Sequence, residues 1–278
     1  MKVLVTSGWK TEAFCVAREL GNSYLEVKTT EDIGLAAINF GFMKVPLSLE
    51  EIKKYIYDNV ITHILPFDNF VFWVGQKEEL LKLGAVVVAN SFDACQKTTN
   101  LFEFLKTCKR NGIPTLRVFK SNNEINHLPL LLRSKDKKEI RVLHTMREVF
   151  NFTATRKDVV VQEMKIGAVL EVDFIGAWKQ ARIYSPDSSA FQLTTMDFPI
   201  RLLSQEAFGL KFGTLQFLLS PDGVYLTDGW PYITYSGLLC IENAADSILK
   251  QNNGEPFTVR SKFKIGERVV LCPEAVKV

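Results

Sequence analysis

The chain is poor in the residues that build redox and zinc centres. Its five cysteines, Cys15, Cys95, Cys108, Cys240 and Cys272, are scattered, and none stands in a Cys-x-x-Cys pair. The three histidines, His63, His127 and His144, are as widely spread. A zinc site needs such ligands at close spacing, so none is expected. An odd, unpatterned set of cysteines points to reduced thiols and a cytoplasmic setting. Charge of one sign is also lacking. The formal net charge is +3, from 34 Lys+Arg against 31 Asp+Glu, too little to argue for a nucleic-acid partner. Long apolar runs are missing: stretches such as Phe70–Gly75 fall far short of the ~20 residues that cross a bilayer, so no membrane partner is expected. The opening MKVLVTSG reads as a buried strand rather than a signal peptide, because no basic segment leads into a long apolar one. The sequence has no internal repeat or low-complexity tract, and nothing in it sets the oligomeric state.

What is present is an ordinary globular composition, 47% hydrophobic over 278 residues, enough for one large or two modest domains. Residues 1–92 alternate strand and helix. Lys2–Thr6 is β-branched, Thr11–Leu20 has apolar residues at helical spacing and stops at Gly21, and Ser48 caps a helix over Leu49–Asn59. Further strands are expected at Leu25–Lys28, Thr62–Leu65 and Ala85–Ala89, with a helix over about Phe72–Leu83. That alternation predicts an open parallel sheet covered on both faces. Ser7-Gly8 would sit at the carboxyl end of the first strand, where such sheets bind ligands, although a plain tight turn accounts for it as well. Residues 93–157 begin with one expected helix over Asp93–Asn111, followed by short strands and the charged loop Ser134–Glu139. Residues 158–250 turn to strands. In Val169–Ile175, Glu171 and Asp173 fall on one face and Val172 and Phe174 on the other. A helix is expected over Ile241–Lys250, and residues 251–278 form a basic tail with further strands.

The stretch Gly213–Gly237 carries the densest signal. It predicts two strands joined at Ser220-Pro221-Asp222-Gly223, with Gln216 on the first and Asp228 ending the second. Pairing through that turn sets both polar side chains near one end of the hairpin. Two oxygen ligands on a rigid hairpin suit magnesium, which takes hard oxygen donors and few of them from protein. A polar edge on an ordinary hairpin is the alternative.

The order and spacing of these pieces resemble an ATP-grasp protein, nearest to the branch of the carbamoyl-phosphate synthase large chain. The resemblance runs from Met1 to about Lys250. It takes in Thr6-Ser7-Gly8, Met43-Lys44-Val45-Pro46, Ile64-Leu65-Pro66-Phe67-Asp68, Gln96-Lys97, Gly112-Ile113-Pro114-Thr115, the apolar run from Pro129 to Arg133, Val161-Gln162-Glu163, Gly167, Asp173 and the hairpin. It implies a pre-ATP-grasp α/β domain over 1–92, then two α+β lobes of an ATP-grasp fold over 93–157 and 158–250. ATP would bind between the lobes with magnesium. A small-molecule carboxylate would be phosphorylated to an acylphosphate, which an amine or related nucleophile would attack. On this resemblance Lys97 and Arg133 meet the ATP phosphates. Gln162, Glu163 and Met164 form the hinge against adenine, and Gln216 and Asp228 hold the metal. A solvated helix charge is the plainer account of Lys97.

Three departures from the family stand out. The phosphate-covering loop, glycine-rich in the family, reads SKDKKEIR here over Ser134–Arg141. Its lysines can grip phosphate as point charges, or the loop can be an exposed hairpin turn. The ribose-binding acid expected two residues after Gly167 is Val169, with Glu171 nearby but out of register. The Glu-x-Asn-Pro-Arg signature appears as Asp228-Gly229-Trp230-Pro231-Tyr232, and Arg182 and Arg201 are candidate replacements for its lost positive charge. The sequence therefore supports an ATP-dependent carboxylate–amine ligase and, as its rival, a degenerate ATP-grasp domain that binds nucleotide, metabolite or protein without ligation.

Overall fold

In a computed structural model of the chain, residues 1–6, 10–22, 26–29, 48–67, 69–195 and 199–271 are described, without the side chains of 22, 26–29 and 199–203. Ser7-Gly8, Met43–Pro46 and Asp68 lie outside the described residues.

The first sheet is parallel. β1 (Lys2–Val5) is flanked by β2 (Glu26–Thr29) and β3 (His63–Leu65), and β4 (Val86–Val87) extends it beyond β3. β1, at Val3, Leu4 and Val5, and β3, at Ile64 and Leu65, are apolar on both faces because both are covered. Val3 and Val5 pack on Ala13, Val16, Ala17 and Leu20 of α1 (Thr11–Asn22). Leu4 and Ile64 meet Ile52 and Ile56 of α2 (Leu49–Asn59) on the other side. A capping box starts α2, with Ser48 and Glu51 exchanging backbone hydrogen bonds.

Two expected helices are each divided. The first becomes α3 (Phe70–Gly75) and α4 (Lys77–Leu81), parted at Gln76. The second becomes α5 (Phe92–Thr99) and α6 (Leu101–Arg110), parted at Asn100. The Asn100 side chain accepts from the amides of Phe102 at 3.0 Å and Glu103 at 3.4 Å, so it caps a new helix instead of continuing the old one. The apolar stripe Leu101, Phe104 and Cys108 survives on α6.

A four-stranded antiparallel sheet follows. It contains β5 (Val118–Phe119), β6 (Leu130–Ser134), β7 (Ile140–Leu143) and β8 (Val159–Glu163), in the order β5-β8-β6-β7. One face, through Phe119, Leu130, Leu132 and Val161, packs on Val149 of α7 (Met146–Thr155). Strand alternation sends Leu131, Arg133, Val160 and Gln162 to the other face, and Val160 joins the core beneath the next sheet.

That next sheet has six antiparallel strands. They are β9 (Ala168–Ile175), β10 (Trp178–Tyr184), β11 (Ala190–Thr194), β12 (Phe212–Ser220), β13 (Gly223–Trp230) and, at the far edge, Arg268–Val270. One face, carrying Leu170, Val172, Phe174, Leu215, Phe217 and Leu226, packs on α5, α6 and Phe208 of α8 (Pro199–Phe208). Glu171 and Asp173 occupy the opposite face, as the alternation predicts. Beyond the hairpin come α9 (Tyr235–Cys240), the short strand β14 (Ile241–Glu242) and α10 (Ala244–Asn253). The helix expected from Ile241 begins only at Ala244, because Ile241–Glu242 pairs with Arg260–Ser261 and Asn243 takes a left-handed turn. Among the described residues no helix is long and apolar enough to cross a membrane.

Candidate functional site

The hairpin closes at the expected turn, with Ser220 opposite Gly223, and a register shift beyond Phe217 sets Gln216 opposite Asp228. One irregularity matters. Phe217 pairs with Leu226 and Gln216 with Asp228, which leaves Thr227 as an extra residue on β13. Leu226 faces the apolar core, and in a regular strand Asp228, two residues on, would face it too. The bulge turns Asp228 off that face at the edge of the sheet.

There Asp228 meets two cations. Arg133, on the face of β6 shared with Val160 of the neighbouring strand, gives one guanidinium nitrogen to the Asp228 carboxylate and another to the Thr227 carbonyl at 2.7 Å. Lys137, in the turn between β6 and β7, places its ammonium 2.6 Å from Asp228 Oδ1 and 3.3 Å from the Gly229 carbonyl. The same ammonium donates to the Thr98 carbonyl at the end of α5 and lies 4.2 Å from the centre of the Phe104 ring. A left-handed backbone at Lys137, φ 62°, aims it there. The Gly229 amide also donates to Asp228 Oδ1, at 2.8 Å. Arg133, Lys137 and Asp228 are all nearly buried, with side chains 6%, 9% and 9% exposed. Burial lowers the Lys137 pKa; the adjacent Asp228 carboxylate opposes this and Arg133 adds to it. The cluster therefore holds two cations against one acid, drawn from both antiparallel sheets and the α5–α6 junction.

A second polar cluster lies within the six-stranded sheet. Gln216, Glu171 and Arg182 are cross-strand neighbours in one row; Thr214, Asp173 and Gln180 form the next. Arg182 is fully buried and donates to Glu171 at 2.7 Å, Asp173 at 3.2 Å and Thr234 at 3.2 Å. The Tyr184 hydroxyl bridges Glu171 at 2.7 Å and Ser236 at 2.6 Å, and Thr214 donates to Asp173 at 2.7 Å. Burial pushes the Tyr184 phenol up to about 12, with Arg182 opposing. α9 lies close over this cluster. A Cβ on Gly237 would stand 2.6 Å from both Asp173 carboxylate oxygens, so the helix needs glycine there.

The residues singled out from the sequence thus separate. Arg133 and Asp228 come together. Glu171, Arg182 and Gln216 join the second cluster, where Gln216 donates to Glu171 at 3.4 Å and accepts from Thr227 at 3.2 Å. Gln216 and Asp228 face each other in register, but their side chains turn to different partners, and Asp228 already accepts from two cations. As placed, the pair does not fit a magnesium ion. Among the described residues no group of three or more His, Cys, Asp or Glu could hold a metal. Lys97 stays apart, paired with Asp93 on its own helix at 2.5 Å. On β8, Gln162 is buried and donates to the Leu116 carbonyl at 3.5 Å, while its Oε1 has no partner among the described residues. Glu163 accepts from the Arg117 amide at 2.9 Å, and Met164 is exposed. Arg201 lies on α8, and its side chain is outside the described set. Tyr232, at the signature's last position, stacks on Phe70 with ring centres 5.4 Å apart, turned toward the first sheet. Lys137, Thr98, Tyr184, Thr234 and Ser236 were not individually singled out. Only Lys137 had a signal, the lysine-rich loop.

No family model matches the chain, and no curated protein does. Solved structures do match. The chain is similar to biotin carboxylase of Campylobacter jejuni in its β-γ-ATP complex, with a TM-score of 0.70 at 13% identity over 92% of this chain and 72% of that one. It is similar to the biotin carboxylase domain of the Hydrogenobacter thermophilus 2-oxoglutarate carboxylase, bound to MgADP, ADP and bicarbonate, with a TM-score of 0.71 at 14% identity over 92% and 70%. N5-carboxyaminoimidazole synthetase of Staphylococcus aureus matches with a TM-score of 0.69 at 11% identity over 94% and 79%. None of these singles out the carbamoyl-phosphate synthase branch. An N-terminal parallel sheet followed by two antiparallel sheets, matched over nine-tenths of the chain, is the ATP-grasp fold.

Proposed function

We propose that this chain binds ATP in the seam between its four-stranded and six-stranded sheets, with the phosphates toward Arg133 and Lys137, and that it does so without ligating a substrate. The observation that carries the proposal is the meeting of Arg133 and Asp228 across the seam. A buried cluster with one more cation than acid favours an anion. Among the described residues, two buried polar atoms on the seam face of the four-stranded sheet also lack hydrogen-bond partners: Arg133 Nε and Gln162 Oε1. Their residues stand about two positions apart along the strands, roughly 7 Å, within the reach of one nucleotide. Arg133 would hold phosphate, and the β8 end with Gln162, Glu163 and Met164 would meet the base.

Binding without ligation is favoured by the fate of the signature. Its acid is neutralised by Arg133 and Lys137, and Tyr232, in the place of its basic residue, is stacked away on Phe70. A second role, ligation of a small-molecule carboxylate to an amine through an acylphosphate, is supported by the solved structures matched here. They are carboxylases and a synthetase, two of them bound to adenine nucleotides or an ATP analogue. Thermal melting with and without ATP, alongside ADP release over a panel of carboxylates and amines that includes bicarbonate, separates these roles. ATP raises the midpoint, Arg133→Ala removes the rise, and no substrate releases ADP. No rise with ATP would end the nucleotide proposal. Carboxylate-dependent ADP release would replace binding with ligation.

A further inference from the structure

The Lys137 ammonium sits in a cage of oxygens. It has three N–H donors, and the structure supplies three oxygen acceptors: Asp228 Oδ1 at 2.6 Å, the Gly229 carbonyl at 3.3 Å and the Thr98 carbonyl. A carboxylate and two carbonyls converging on one point form a hard-oxygen cation site. The chain fills this site itself. The filling is specific, because the loop SKDKKEIR offers three lysines and Lys137 is the one whose backbone takes the left-handed conformation that aims it inward. The Phe104 ring beneath the ammonium adds a further face for the positive charge. The cage is tied down from outside too, since the Lys135 carbonyl accepts from the Leu101 amide at 2.8 Å and the Lys135 amide donates to the Asp158 carbonyl at 2.6 Å.

We propose that Lys137 is a tethered cation that takes the place of a divalent metal ion at Asp228, so that polyphosphate binding at this seam needs no magnesium. The part concerning polyphosphate rests on the nucleotide proposal above; the part concerning the cation does not. A solution cation must displace a buried ammonium held by an adjacent carboxylate and two carbonyls.

Mn2+ is the probe, followed by electron paramagnetic resonance on the full chain. The wild type and Asp228→Asn leave the free Mn2+ signal equally unchanged, whereas Lys137→Ala, checked for folding by circular dichroism, acquires a bound ion that Lys137→Ala/Asp228→Asn lacks. Mn2+ bound by the wild type and lost in Asp228→Asn would overturn the proposal, and so would a folded Lys137→Ala chain that binds none. In parallel, the ATP-dependent rise in melting midpoint is the same in EDTA as in magnesium. A rise seen only with magnesium would overturn the tethered cation while leaving nucleotide binding intact. No rise under either condition would remove nucleotide binding, and the Mn2+ experiment would still decide the cation.

Discussion

The two buried charge clusters of this chain are built on opposite plans. The one around Arg182 is assembled from adjacent strands of one sheet and has two acids, Glu171 and Asp173, for one guanidinium, with hydroxyls of Tyr184, Thr214 and Thr234 completing it. The one around Asp228 joins two sheets and a loop, and has two cations for one acid. Strand pairing fixes Glu171, Asp173, Arg182, Tyr184 and Thr214 relative to one another, so the first has little freedom to exchange partners. The second is held across a seam by side chains 91 and 95 residues away from Asp228 in sequence. Buried ions cost desolvation in both, and breaking a pair leaves an uncompensated charge. The cost should differ, because in the second a cation stays on Asp228 when either one of the two is removed.

The largest effect expected from this contrast is that of Arg182→Met. It leaves Glu171 and Asp173 buried without their cation, and urea denaturation should show a loss of about 3–5 kcal/mol. A loss below about 1 kcal/mol would mean that the network is not holding the sheet. Gly237→Ala comes next. Its new methyl group falls 2.6 Å from the Asp173 oxygens, and forcing α9 outward should cost about 1–3 kcal/mol in the same assay. Lys137→Met should cost less, about 1 kcal/mol, because Arg133 still neutralises Asp228 after the loop cation is gone. If it cost as much as Arg182→Met, the two clusters would not differ in kind.

A smaller effect lies outside both clusters and provides a control. Burial, reinforced by the N-terminal ammonium, holds the His63 pKa below its ordinary 6.5. The unfolded chain then binds more protons, so the contribution of His63 is fully present above that ordinary value and is lost as pH falls through the lowered one. Between about pH 7 and about pH 5 the melting midpoint of the wild type should fall more than that of His63→Gln. Parallel curves would show that His63 does not titrate in this way.

Much of the fold was legible because burial leaves a period in the sequence. The alternation over Val169–Ile175 put Glu171 and Asp173 on one face, and Ser220-Pro221-Asp222-Gly223 marked the turn of the hairpin that carries Gln216 and Asp228. What was not legible depended on backbone counts and capping. The extra residue Thr227 redirects Asp228, but a bulge of one residue leaves no pattern in a short strand. Asn100 divides the expected helix over Asp93–Asn111, yet the apolar stripe continues on its far side, so periodicity alone could not find the break. Three lysines in one loop left a phosphate grip and an exposed hairpin turn both open, and did not single out one lysine. A left-handed φ at Lys137 made the choice, together with a carbonyl at Thr98 that no side-chain motif could announce. The divergence of the two hairpin side chains has a related origin: Gln216 meets Glu171 and Thr227, while Asp228 meets Arg133 and Lys137.

Hydrogen exchange with and without ATP, in EDTA, tests the central claim most directly. The account predicts slowed exchange in Leu130–Ser134, the loop through Ile140 and Gly223–Trp230, with the first parallel sheet unchanged. Protection confined to the parallel sheet, or none anywhere on the chain, would contradict it.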